Sequence, residues 1–240
     1  DSLEEAYQEL IYLAQEERRE RTAQLMREKK DITDYFTLWA HQIKTPIAAM
    51  RLLFQQETEN IEQFYEQRKE CEGELFKIEQ YVEMVLQYLR LNSSVNDFVL
   101  QEYSLDSIIR QAIHKYAPMF IRKKLALHYE TITTKVVTDE KWMVFVVEQI
   151  FSNAIKYTVE GSISIYMEGG NLVIADTGIG ILPEDLPRVF EKGYTGYNGR
   201  NDKKASGIGL YLCKQIIEKL GHKVYVTSEP GKGTKMKWVF

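Results

Sequence analysis

The stretch Leu172-Val173-Ile174-Ala175-Asp176-Thr177-Gly178-Ile179-Gly180 decides how the second half of this 240-residue chain is built. Its four leading apolar residues read as a strand, and the aspartate after them opens onto a glycine-spaced turn. Outward from that point the same signal recurs. Residues 125–129, 162–166, 224–227 and 236–240 alternate or run apolar as strands do. Ser104 followed by Ile108, Ile109, Ala112, Ile113 and Tyr116 reads as a capped amphipathic helix. Further helices are expected at about 141–157 and 207–220. The spacing predicts a mixed sheet covered by helices on one face, a two-layer α/β sandwich over residues 99–240.

Upstream the period changes. From Asp1 to about Leu91 the only proline is Pro46 and the only glycine Gly73, among dense Glu, Gln, Lys and Arg, which is a long helical composition. Cys71, Leu75, Ile78, Val82, Val85 and Leu89 advance by alternating fours and threes, close to the step of a supercoiling seam. Phe36, Trp39 or Ala40, Ile43, Ile47, Met50 and Phe54 repeat the pattern earlier, and Glu57 to Asn60 is the expected reversal. A hairpin of two helices with one apolar stripe each hides those stripes best as half of a four-helix bundle, so a homodimer is expected. Leu3, Leu10 and Leu13 suggest a coiled-coil entry over 1–30, interrupted between Glu16 and Arg21. The predicted organisation is then an entry segment 1–30, a hairpin 31–91, a linker 92–98 of polar residues around Asn96, and the sandwich 99–240.

With 44% hydrophobic and 12% aromatic residues the chain has the composition of a globular protein rather than a disordered one. Net charge is -4 and the pI near 5.7, which gives no general attraction to nucleic acid or an anionic membrane. Cys71 and Cys213 match no metal or redox spacing and are expected to be reduced core residues. No apolar run approaches the ~20 residues needed to cross a bilayer. The chain begins at Asp1 without a signal-peptide pattern, so it is expected to be a cytoplasmic piece of something longer.

Four segments of the second half carry residues suited to a nucleotide triphosphate: Asn153 to Tyr157, Asp176 to Gly180, Phe190 to Gly199, and Ser206 to Leu210. Glycines let backbone amides approach phosphate oxygens, and a helix starting near Gly207 adds N–H donors and partial positive charge. The Asp176 carboxylate can accept a hydrogen bond from a base amine. Asn153 offers a neutral oxygen to Mg²⁺, which favours hard ligands. Lys156 adds positive charge, and the stretch from Phe190 to Ala205, with Gly193, Gly196 and Gly199, is expected to close over the nucleotide. In the first half, Phe36-Thr37-Leu38-Trp39-Ala40-His41-Gln42-Ile43-Lys44-Thr45-Pro46 sets a histidine about 160° from Ile43, away from the apolar stripe. An exposed histidine on a helix can meet another domain. Each motif alone is a turn or a solvated side chain, and their joint order gives them weight.

In that order, residues 31–240 resemble the cytoplasmic core of sensor histidine kinases of two-component systems. The resemblance implies a dimerisation and phosphotransfer hairpin followed by an ATP-binding domain of the GHKL (gyrase, Hsp90, histidine kinase, MutL) type. It implies that His41 is the phosphoacceptor, Asn153 a magnesium ligand and Asp176 the adenine contact. Gly178, Gly180, Gly207 and Gly209 would shape the pocket, Lys156 and Tyr157 line it, and Gly193 and Leu210 belong to the lid and the helix start beside it. The activity implied is autophosphorylation of His41 from ATP with Mg²⁺, then transfer to an aspartate of a response regulator. Thr45 matches the position from which relatives place a water to dephosphorylate the partner, giving a kinase and phosphatase in one. The rival readings are a GHKL-type ATPase or clamp, which Gln149 disfavours by lacking a carboxylate to activate water, and a dimeric scaffold with a degenerate pocket.

Three positions depart from the pattern. Gln42 stands where many relatives have Glu or Asp, so it can orient the imidazole but not take its proton. Gln149 replaces a usual Asn, and Ala205 a usual glycine. The wording from His41 to Pro46, with Tyr211 to Lys214 and Gly221-His222, is similar to the short intramembrane-sensing kinases of Gram-positive bacteria. Members of that subgroup are often coupled to ABC transporters that respond to cell-envelope antibiotics, and sense through membrane helices. Pro46 removes one helical hydrogen bond and is expected to kink the helix just past His41.

Overall fold

The structure is a computed structural model and describes residues 2–91, 98–196 and 207–240. Asn92 to Asp97 of the expected linker, Gly199 and Ala205 of the expected lid, and Ser206 of the expected helix entry lie outside the described residues. The chain divides into two compact units, Asp1–Tyr81 and Val82–Phe240.

The first unit holds α1 (Ser2–Gln55) and the greater part of α2 (Ile61–Leu91). The reversal falls where the polar residues announce it. Asn60 caps α2, its Oδ1 accepting from the Gln63 N–H at 2.9 Å, while Gln67 donates to the Gln56 carbonyl at 3.2 Å. Trp39 ties the helices together by donating from Nε1 to the Tyr81 carbonyl at 2.9 Å. Helix α1 runs through Pro46 without interruption. The covered side of α1 is Tyr35, Gln42 and Pro46, with Trp39 half covered. That stripe is rotated by one residue from the one the apolar spacing suggests, of which Ile47 and Phe54 stay exposed. A bundle helix has two contact sides, and the most periodic one is left uncovered within a single chain.

In the second unit a five-stranded sheet has the order β2-β4-β5-β7-β6, from β2 (Ala126–Tyr129), β4 (Ser162–Glu168), β5 (Asn171–Asp176), β6 (Lys223–Glu229) and β7 (Gly233–Val239). Only β2 and β4 are parallel. Helices α3 (Leu105–Lys123), α4 (Glu140–Tyr157) and α5 (Gly209–Lys219) bury Ile108, Ala112, Phe151, Leu212 and Ile216 together with Ile163, Ile165, Leu172, Ile174 and Trp238 of the sheet. At ~1.5–3 kcal/mol for each fully buried large apolar side chain, this layer dominates the unit's stability. Two strands the sequence does not signal, β1 (Gln101–Ser104) and β3 (Lys135–Thr138), pair antiparallel as a separate sheet. Ser104 caps α3 as expected, and Asp139 caps α4 by accepting from Lys141 and Trp142 N–H while also holding the Val99 N–H. The last turns of α2 belong to this unit: Lys192 donates to the Tyr88 hydroxyl at 3.1 Å, and Lys219 donates to the Leu91 carbonyl at 2.9 Å. No described helix is long and apolar enough to cross a membrane.

Candidate functional site

Asp176 ends β5 on the side of Leu172 and Ile174, which are covered by helices; its partners in register are Ile163 and Thr234. One carboxylate oxygen, Oδ1, accepts from the Gly178 N–H at 2.8 Å and the Thr234 N–H at 3.3 Å. The other oxygen has no hydrogen-bond partner among the described residues. Burial raises the pKa of Asp176, and the two amides act in the opposite sense. A half-buried carboxylate fixed through one oxygen leaves the second to receive an amine.

The glycine turn is held from two sides. The Ile179 N–H donates to the Tyr157 carbonyl at 3.1 Å, at the end of α4, and the Ile179 carbonyl accepts from Gly231 at 2.8 Å, in the β6–β7 turn. The Ile181 N–H donates to Ser228 Oγ at 2.8 Å. These contacts demand glycine. A Cβ at Gly178 would lie 2.5 Å from the Tyr157 carbonyl oxygen, and one at Gly180, where φ is +72°, 2.2 Å from that of Glu229.

Asn153, Lys156 and Tyr157 occupy the last two turns of α4, the helix on which the glycine turn is stapled. Asn153 is half-buried, and its amide has no hydrogen-bond partner among the described residues. The Lys156 ammonium lies 5.1 Å from the Tyr157 ring centre. Gln149, one turn earlier and buried, has its Oε1 only 3.0 Å from where a Cβ at Gly209 would be, so the start of α5 abuts α4. Helix α5 begins at Gly209 with Leu210, and its N-cap position is Ile208, whose apolar side chain makes no capping hydrogen bond.

Gly193 and Gly207 meet: the Gly193 N–H donates to the Gly207 carbonyl at 3.0 Å, and both have positive φ. Nearby, the Tyr194 hydroxyl donates to Asp185, which is buried, and Arg188 stacks 4.1 Å from the Tyr194 ring centre. Asp185 carries no signal in the sequence, because a single aspartate among Leu182, Pro183 and Glu184 forms no pattern.

The structure therefore gathers Asn153, Lys156, Tyr157, Asp176, Gly178, Gly180, Gly193, Gly207, Gly209 and Leu210 onto linked elements of one unit. His41, Gln42 and Thr45 stand on α1 in the other unit. His41 is exposed; Gln42 is only 6% exposed; Thr45 donates from Oγ1 to the His41 carbonyl at 3.3 Å. The described residues contain no group of three or more His, Cys, Asp or Glu side chains able to hold a metal. A magnesium ion would have the Asn153 oxygen as a protein ligand and take most of its shell from phosphates and water, which fits its ligand preference.

Residues 138–240 match the family described as histidine kinase-, DNA gyrase B- and HSP90-like ATPases, a domain that binds ATP. The sensor histidine kinase YxdK of Bacillus subtilis (strain 168) is 34% identical over 213 residues, 86% of this chain and 64% of that protein. The sensor protein BceS of Halalkalibacterium halodurans is 33% identical over 234 residues, 95% of this chain and 67% of that protein. The chain thus spans about two thirds of the length of these relatives. The fold is shared with the Acinetobacter baumannii histidine kinase AdeS, with a TM-score of 0.53, 19% identity, and coverage of 83% of this chain and 96% of that one. A helical hairpin, a GHKL-type ATP-binding sandwich and relatives that match along both make this chain a member of the sensor histidine kinase family.

Proposed function

We propose that this chain is the catalytic core of a protein-histidine kinase, a transferase that phosphorylates His41 from ATP and passes the phosphoryl group to an aspartate of a response regulator. The observation that carries the reading is Asp176. It is pinned through one oxygen in a glycine turn stapled to the helix of Asn153, with its other oxygen left for the adenine amine.

A neutral imidazole nitrogen of His41 attacks the γ-phosphorus in line. An N–P bond forms as the bond from phosphorus to the β–γ bridging oxygen breaks, and ADP leaves with that oxygen. Most of the acceleration comes from positioning and electrostatics. Magnesium, when bound at Asn153, supplies positive charge for the phosphates. Backbone N–H groups at the start of α5, Lys156 and the glycine turn hold the triphosphate and adenine, while Gly193 and Gly207 fix the base of the lid. Gln42, buried beside His41, stiffens the helix that carries the imidazole rather than taking its proton. The proton is lost to solvent, which the exposure of His41 allows.

We also propose residues 31–91 as the dimerisation and phosphotransfer domain, 99–240 as the catalytic domain, and 1–30 as an entry segment, with the linker between the two domains letting one approach the other. Exposed Ile47, Leu52 and Phe54 support the homodimer. Thr45 carries the phosphatase half of the activity. The wording from His41 to Pro46, with Tyr211 to Lys214 and Gly221-His222, supports a cytoplasmic core below membrane helices, an antibiotic-response role and an ABC transporter as source of the signal.

Label transfer from γ-labelled ATP onto the purified chain tests the central reading. Acid-labile label on wild type that disappears in His41→Ala is expected. ATP hydrolysis without label would favour the ATPase or clamp, and no ATP binding would favour the scaffold.

A further inference from the structure

The last turn of α4 carries Lys156 and Tyr157, and every helix end leaves carbonyls that need donors. Here they can be followed one by one. The Ala154 carbonyl accepts from the Thr158 N–H at 3.0 Å, and that of Tyr157 accepts from Ile179 at 3.1 Å. Those of Ile155 and Lys156, and beyond them Thr158, all receive the ammonium of Lys123, the last residue of α3; the latter two distances are 3.3 Å. An ammonium has three N–H donors, and three carbonyls use them. No carboxylate is paired with Lys123 among the described residues; burial lowers its pKa, while acceptors around the ammonium favour its charged form. The Thr158 hydroxyl, fully buried, has no hydrogen-bond partner among the described residues and cannot take over as a cap.

A cation at a helix C-terminus also meets the negative end of the helix dipole. The α4 end is thus fixed by two external donors, Lys123 from α3 and Ile179 from the glycine turn. These lie on opposite sides of one chain of contacts, running from Lys123 to the α4 carbonyls, to Tyr157, to Ile179 and so to Asp176.

We propose that Lys123 is a positioning residue of the nucleotide site. It holds the last turn of α4 where the Tyr157 carbonyl can take the Ile179 N–H, and so sets the turn that aims Asp176. Lys123 touches no nucleotide; it acts through the backbone of α4. The proposal rests on the ATP-binding reading above for its functional consequence, but not for its structural one.

The test compares wild type, Lys123→Met, which keeps most of the stem, and Lys123→Arg, which restores donors. The readouts are ADP affinity by calorimetry at 10 °C, the thermal midpoint, and amide hydrogen exchange without nucleotide. The methionine variant is expected to remain folded at 10 °C, bind ADP about 10-fold more weakly, and exchange the Ile179 amide about 10-fold faster or more. Amides within β4 and β5 should keep their rates, and arginine should recover at least half of both losses on a logarithmic scale. A residue that only adds stability would lower the midpoint while leaving ADP affinity and the Ile179 amide unchanged. That result overturns the proposal. Should wild type fail to bind ADP, the ATP reading fails, and Ile179 exchange still decides whether Lys123 sets the turn. If the methionine variant does not fold, Lys123→Gln is measured in the same way.

Discussion

Replacing Gln42 by Glu would create the His-Glu pair of many relatives, and the structure says what that would cost. Gln42 is 6% exposed on the covered side of α1, whereas His41 beside it faces water. A glutamate there would bury a carboxylate whose unperturbed pKa is ~4.3. Deep burial raises carboxyl pKa values by up to ~3–5 units. A shift of ~2–3 units at this helix seam, at ~1.36 kcal/mol per unit, gives a cost of ~3–4 kcal/mol at neutral pH. Since whole domains are stable by only ~5–15 kcal/mol, that is a large fraction. The sign is fixed: a folded-state pKa above the unfolded value leaves stability intact below pH ~4.3 and removes it as pH rises through the folded pKa. Urea unfolding followed by circular dichroism, at one protein concentration from pH 4.5 to 8, should show the variant falling away from wild type by ~1.4 kcal/mol per pH unit until it levels off. Gln42→Met, neutral and of similar volume, should show no such slope. A difference between Gln42→Glu and wild type that does not change with pH would refute the reasoning, because it would mean the carboxylate stays charged in the seam. Autophosphorylation rates must then be compared at a pH where both proteins are folded.

Asp176→Asn keeps an acceptor for Gly178 and Thr234 but puts an NH₂ donor where the free oxygen was; ATP affinity should fall by about 10- to 100-fold with little change in unfolding midpoint. In wild type, burial raises the pKa of Asp176, so ADP affinity measured by calorimetry should weaken at a higher pH than an ordinary carboxylate near 3.8 would cause. Lys124 sits at φ 55° after α3, its N–H bonded to the Ile121 carbonyl at 3.1 Å and that of Leu125 to Phe120 at 3.1 Å, an arrangement that favours glycine. Lys124→Gly should stabilise the second unit by about 0.5–1 kcal/mol, or about 1–3 °C in Tm by calorimetry. Burial lowers the pKa of His222, which stacks edge-on against Phe240. Stability from this residue is complete above pH ~6.5 and is lost as pH falls through the depressed folded value, so His222→Gln should flatten the pH dependence of Tm on the acid side of ~6.5.

Long repeats were legible. Helix α2 is present over the alternating fours and threes from Cys71 to Leu89, although Leu75, Val82 and Leu89 of that stripe stay exposed, and the apolar runs at 162–166 and 172–175 are strands; motif order made the family readable. Features settled across the chain were not. Strands β1 and β3 are four residues each and take their pairing from one another. The covered side of α1 contains Gln42 and Pro46, neither of which counts as apolar in a spacing argument. Pro118 lies inside α3, where sequence rules would end a helix. Asp185 and Lys123 act by reaching Tyr194 and the α4 carbonyls, and nothing in their own surroundings marks them. Asp176 and its glycines were visible because a carboxylate at a strand end followed by two spaced glycines is itself the shape of the turn.

Phe54 at 69% and Leu52 at 63% exposed, with Ile47 beside them on α1, meet water as long as a hairpin stands by itself. Whatever covers them also supplies part of the free energy that keeps α1 and α2 paired, so assembly and folding of the first unit are one mass-action equilibrium. Dilution then behaves as a denaturant for the hairpin while sparing the sandwich, and only the melting transition of the first unit should climb with protein concentration.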